Sequence, residues 1–97
     1  MTTRLEATVR GRVQGVGFRY YVVRVAMEAG LTGWVANAGD GSLRCVAEGT
    51  RTDLERLLAA LEAGPAGASV DHVTAVWSAP LGTFRTFEIR SGGHPGD

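Results

Sequence analysis

The sequence predicts an α+β domain in which two helices cover one face of a mostly antiparallel sheet. Three observations carry that prediction. Several stretches alternate apolar and polar residues, two others repeat their apolar residues at helical spacing, and the order runs strand–helix–strand–strand–helix–strand with a short last strand.

From Leu5 to Val13 the odd positions are Leu5, Ala7, Val9, Gly11 and Val13, and the even ones Glu6, Thr8, Arg10 and Arg12. That period of two describes a half-buried strand with its odd side inward. After a loop with two glycines, Phe18, Val22, Val25, Ala26 and Ala29 recur at helical spacing and stop at Gly30, a suitable C-terminal cap. The β-branched valines lower helix propensity, so packing must hold this helix. Leu31 to Ala36 reads as a second strand with Trp34 and Val35 as its bulk. Asn37-Ala38-Gly39-Asp40-Gly41 supplies turn chemistry, and Ser42 to Gly49 resumes alternation with Leu43, Cys45 and Ala47 on one face, so the two strands form a hairpin. Thr52-Asp53-Leu54-Glu55 has the form of a capping box, and Leu54, Leu57, Leu58 and Leu61 make the apolar stripe of a helix that Gly64-Pro65 ends. Val70 to Ser78 reads as a strand, Pro80-Leu81-Gly82 as a turn, and Phe84 to Arg90 as a last strand with Phe87 and Ile89 inward. This order is that of the ferredoxin-like sandwich, βαββαβ. It carries no function by itself.

The stretch that carries chemistry is Val13-Gln14-Gly15-Val16-Gly17-Phe18-Arg19. Gly15 and Gly17 can take positive φ at little steric cost, letting successive N–H groups turn inward as an anion nest. The following helix aims its unpaired N–H groups and positive dipole end at the same spot. Arg19 in the first turn opposes that dipole, by about 0.3–1 kcal/mol, unless an anion lies between. The pattern thus fits a phosphate cradle, and it also fits an ordinary two-glycine turn with a solvent-facing arginine. The third glycine of the dinucleotide fingerprint and the Gly-Lys-Ser/Thr triplet of a nucleotide-triphosphate loop are both missing.

Bulk composition narrows the classes. A length of 97 residues allows one hydrophobic core without staples, and zero formal charge gives no broad footprint for nucleic acid or anionic lipid. The single cysteine, Cys45, forms no intrachain disulfide and fits a reducing, cytoplasmic setting. It alternates toward the core, where it reads as a small hydrophobe rather than a nucleophile. His72 and His94 have no neighbours at metal-ligand spacing. No apolar run reaches membrane-spanning length and no signal peptide opens the chain, so no membrane is expected as a partner. Residues 1–90 are expected to be one domain, 91–97 a flexible tail, and the chain a monomer.

Gly11-Arg12-Val13-Gln14-Gly15-Val16-Gly17-Phe18-Arg19-Tyr20-Tyr21 closely resembles the first signature of the acylphosphatase family, and Gly33-Trp34-Val35-Ala36-Asn37 with Asp40-Gly41-Ser42 resembles the second. Both stand in that family's order, and the resemblance fades after Ile89. It implies a metal-independent, cofactor-free hydrolase that splits the carboxyl–phosphate anhydride of a small-molecule acyl phosphate. The backbone of Gln14, Gly15, Val16, Gly17, Phe18 and Arg19 would hold the phosphoryl group, Arg19 would clamp it, and Asn37 would orient the attacking water. Val22 stands where the family often has threonine, Ala36 where a basic residue often precedes the asparagine, and Ser91 where an aromatic often closes the last strand.

By spacing alone Asn37 also fits a turn residue tolerant of left-handed geometry. Two other functions stay in view. One is a catalytically idle anion- or carbamoyl-phosphate-binding module. The other is single-stranded RNA binding, disfavoured because the first strand exposes Glu6, Thr8, Arg10 and Arg12 and no aromatic.

Overall fold

The N-terminal alternation folds as β1, Thr2–Arg12, with Leu5, Ala7 and Val9 buried on the odd side. The computed structural model describes residues 1–91, so the expected tail falls, apart from Ser91, outside the described residues. After β1 come α1 (Phe18–Glu28), β2 (Thr32–Asn37), β3 (Leu43–Thr50), α2 (Arg51–Ala63), β4 (Ser69–Ser78) and β5 (Phe87–Ile89). The sheet order is β4-β1-β3-β2-β5. All pairings are antiparallel except β2 with β5, and β2–β3 is the expected hairpin, with Asn37 opposite Leu43. This is the ferredoxin-like arrangement.

Both helices lie on the face that carries the odd residues of β1. Phe18, Val22 and Ala26 of α1 and Leu54, Leu57 and Leu61 of α2 join Leu5, Val9, Val35, Leu43, Cys45 and Ala47 in one core. Each fully buried leucine contributes about 1.5–3 kcal/mol, so the α2 stripe alone secures that helix. α1 ends in a Schellman motif, with the Leu31 N–H on the Ala26 carbonyl and the Gly30 N–H on that of Met27. Gly30 takes φ 71° there, and buried Leu31 leads the chain into β2. Tyr21 of α1 is half-buried and donates its hydroxyl to the Ala60 carbonyl at 2.9 Å, tying the helices together. Tyr20 faces solvent.

Three local expectations need correction. The α2 cap is Thr50, whose hydroxyl accepts the Asp53 N–H at 3.2 Å, so the helix begins before Thr52. A Thr-x-x-Asp pattern two residues upstream outcompetes the Thr-x-x-Glu box. The last strand shrinks to β5, which pairs with β2 only over Gly33–Val35. Ile89 is 37% exposed, unlike buried Phe87, since it ends an edge strand that is flanked on one side only.

The segment joining β4 to β5 must cross from one sheet edge to the other, and it does so over the helix-free face. Glu48 of β3 anchors it. The Glu48 carboxylate accepts the Leu81 N–H at 2.9 Å, the Gly82 N–H at 3.0 Å and an Arg4 N–H at 2.9 Å. Trp34, on that same face, is half-buried beside Arg90 rather than in the helix-covered core.

Cys45 is fully buried, and burial pushes its thiol up to about 12. We expect no reaction with a thiol reagent in the native protein and one full equivalent in denaturant. Rapid native labelling would show that this part of the core opens.

Candidate active site

Two glycines shape the loop between β1 and α1. Gly15 and Gly17 hold φ of 75° and 76°, a region that strains residues carrying a Cβ. A Cβ at either would meet nothing within 4 Å. Backbone angle, not crowding, therefore requires glycine, and the loop faces open space. Its flanking side chains fix it from behind. Phe18 is buried with its ring edge-on to Tyr21 at 5.7 Å, and Val16 packs against the core.

The backbone of that loop is left with donors to spare. No side chain caps α1 and no acid lies in its first turn. The Tyr21 N–H is the first to reach a carbonyl, that of Gly17 at 3.2 Å, and among the described residues the N–H groups from Gln14 to Tyr20 have no acceptor. A run of unpaired donors at a helix N-terminus is an anion site in waiting. Arg19 stands in that first turn, half-buried, and among the described residues it makes no ion pair. The cation, the dipole end and the free N–H groups all lack the same thing, a negative charge.

Gln14 joins this loop to the β2–β3 turn. Its Nε2 donates to the carbonyls of Ala38 at 2.8 Å and Ser42 at 3.1 Å. The turn is closed by the Ala38 N–H on the Ser42 carbonyl. Asp40 braces it from the side, accepting the Ser42 hydroxyl at 2.6 Å and N–H at 3.0 Å. Those two bonds, with Arg10 nearby, hold its carboxyl down at about 2. The brace is therefore charged at neutral pH.

Asn37, the last residue of β2, is 7% exposed, and among the described residues its Oδ1 is a buried side-chain oxygen without a hydrogen-bond partner. Among the described residues only glycines have positive φ, so the reading of Asn37 as a left-handed turn residue does not hold. A buried amide oxygen left unpaired costs about 1–3 kcal/mol. Such groups are as a rule satisfied by a water or a ligand.

The structure thus gathers the candidate residues. Gln14, Gly15, Val16, Gly17, Phe18 and Arg19 form one loop, and the Gln14–Ala38 bond lays it beside Asn37. What spacing did not disclose is the double donation by Gln14 and the locking of the turn by Asp40. The signals were present in the sequence, in a glutamine at a strand end and in Asp-Gly-Ser, a pattern suited to an aspartate bonding its own backbone two residues on. Exposed His72 lies on β4, and among the described residues no group of three or more His, Cys, Asp or Glu is gathered at metal-binding distance.

A loop of free N–H donors at a helix end beside an arginine, on a ferredoxin-like sandwich, has the chemistry of an anion-binding α+β domain. The chain belongs to the acylphosphatase family, whose model matches residues 5–89. It is 55% identical over 75 residues to an acylphosphatase of Mycobacterium sp. (strain KMS), spanning 77% of this chain and 80% of that protein. The crystal structure of acylphosphatase from Bacillus subtilis superposes with a TM-score of 0.88 at 35% identity, over 91% of this chain and 98% of that one. T. kodakarensis HypF contains a similar segment, with a TM-score of 0.77 and 35% identity over 90% of this chain and 12% of that one. As a member of the family, the protein hydrolyses acyl phosphates.

Proposed function

We propose that the loop from Gln14 to Arg19 binds the phosphoryl group of the acyl phosphate, that Arg19 clamps it, and that Asn37 holds the attacking water. Residues 1–90 would form the catalytic unit, working as a cytoplasmic monomer without metal or cofactor. The observation that carries the reading is the pairing of free donors on one side with a buried, unpartnered Asn37 Oδ1 on the other.

The chemistry asks for little more. A carboxylate leaves without a proton, and phosphoryl transfer passes through a loose state with charge spread over the equatorial oxygens. Fixed N–H groups and a guanidinium aimed at those oxygens lower the barrier without reorganising, each such donor being worth about 10²–10³ in rate. Asn37 Oδ1 accepts a hydrogen bond from the water and sets its approach in line with the departing carboxylate, as a glutamine does in some GTPases. Asparagine takes up no proton. The water's proton therefore passes to a phosphoryl oxygen.

The testing experiment is hydrolysis of an aromatic acyl phosphate by wild type and Asn37→Ala, each with and without a chelator. Wild-type turnover should be indifferent to the chelator and flat across neutral pH, while Asn37→Ala loses about 10²-fold or more in kcat and keeps its affinity for phosphate. Loss of wild-type activity with the chelator would overturn the metal-free mechanism, and an unchanged kcat in Asn37→Ala would remove Asn37 from it. A second reading, an idle anion- or carbamoyl-phosphate-binding module, draws on the likeness to a segment of HypF. It predicts tight phosphate binding with no turnover. The unpartnered Asn37 oxygen favours hydrolysis, since binding alone has no use for it.

A further inference from the structure

On the helix-free face of the sheet, beside the end of β2, lies a trough of about 350 Å³ bordered by Trp34, Ala36, Asn37, Ala38, Arg44 and Arg90. The strand register explains it. Ala36 is opposite Arg44 of β3, and on the other flank Trp34 and Val35 pair with Glu88 and Ile89 of β5, which puts Arg90 next in line. A methyl side chain thus lies between two arginines, with an indole one step behind on the same face. Exposed Arg44 makes no ion pair among the described residues. Arg90 shares one N–H with Glu88 at 2.9 Å and stands 5.7 Å from the Trp34 ring. Cations with an apolar floor and a volume at the lower end of ligand pockets call for a flat anion.

The trough is not where the substrate binds. The Asn37 side chain alternates with Val35 to the helix-covered face, opposite buried Leu43, so the proposed phosphate site and the trough lie on opposite faces of the sheet. We propose that the trough is a second anion site for a small planar organic carboxylate. Its guanidinium partners are Arg44 and Arg90. The ligand class includes the carboxylate that the reaction itself releases.

Benzoate is the probe. In a Trp77→Phe background, which leaves Trp34 as the sole indole, benzoate should change the fluorescence saturably, and excess inorganic phosphate should not displace it. Arg44→Gln, at an exposed position, and Ala36→Leu, which fills the floor, should each weaken binding at least tenfold and keep wild-type melting behaviour or basal turnover. With acetyl phosphate as substrate, benzoate at saturating concentration should leave KM unchanged, and a rise in KM would place it in the nest. Displacement by phosphate would place benzoate in the nest and overturn the proposal, as would no saturable signal or equal affinity in both variants. The two readings fail differently. Intact benzoate binding without turnover would sink the hydrolase mechanism, and intact turnover without benzoate binding would sink the second site.

Discussion

Arg19→Ala is expected to abolish nearly all turnover while making the protein slightly more stable. The loss follows from charge. An arginine placed on a transferring phosphoryl group is worth about 10³–10⁵ in rate where it acts as a finger, so kcat/KM should fall by about 10³-fold or more. The gain follows from the dipole. A cation in the first turn of α1, uncapped and without acids, opposes the helix by about 0.3–1 kcal/mol, and alanine removes that conflict. Arg19→Lys keeps the charge and loses the fork, so it should recover only part of the rate. The measurement is steady-state kinetics beside thermal melts with and without phosphate. Phosphate should raise the wild-type melting temperature through linkage and raise that of Arg19→Ala far less. Equal stabilisation of both proteins would show that the anion sits away from Arg19, and the site would have to be redrawn.

The parts of the site that could be read from sequence are those set by local rules. Gly15 and Gly17 announce a positive-φ loop, Arg19 conflicts audibly with its helix end, and the odd-side residues of β1 point to the core without help from any partner. The hairpin after Asn37 follows from its turn residues. Less legible is whatever depends on two distant segments meeting. Gln14 bridges to Ala38 and Ser42 only because the β1–β3 register brings that turn beside the loop. The short β5 and the exposure of Ile89 depend on where the chain arriving from β4 meets the far edge of the sheet. The cap at Thr50 was masked by a second threonine that satisfies the same pattern. Glu48 gave no sign at all, standing in an alternating strand among residues that look solvent-facing until the crossing segment covers them.

That buried glutamate makes the other large expected effect, and on stability rather than on rate. Glu48 is 6% exposed and the Arg4 side chain 14%, so the pair lies largely out of water. Burial by itself would raise the Glu48 carboxyl. The Leu81 and Gly82 N–H groups and Arg4 together outweigh it and hold the group below its ordinary 4.5. Removing one partner of such a pair typically costs about 3–5 kcal/mol, and the loss here falls at the lower end because Arg4 keeps a second, more exposed partner, Glu6, at 3.1 Å. Glu48→Gln should therefore lower the melting temperature by more than about 10 °C. Activity measured well below the melt should persist, since Glu48 lies five residues along β3 from Leu43, the partner of Asn37, or roughly 17 Å at strand spacing. The sign of the pH dependence follows from the depressed carboxyl. Its stabilisation is present in full above 4.5, the unfolded value, and is lost as pH falls through the lower folded value. Wild type should lose stability over that acid window, and Glu48→Gln should lose distinctly less. Replacing both partners, Arg4→Met with Glu48→Leu, should recover part of the loss by removing the largely buried Arg4 charge. Recovery should stay incomplete, because the Leu81 and Gly82 donors would still be buried without an acceptor. If Glu48→Gln melts with wild type at neutral pH, the carboxylate does not pin the crossing segment, and the hold on that face must come from the packing of Phe84 over Arg4 instead.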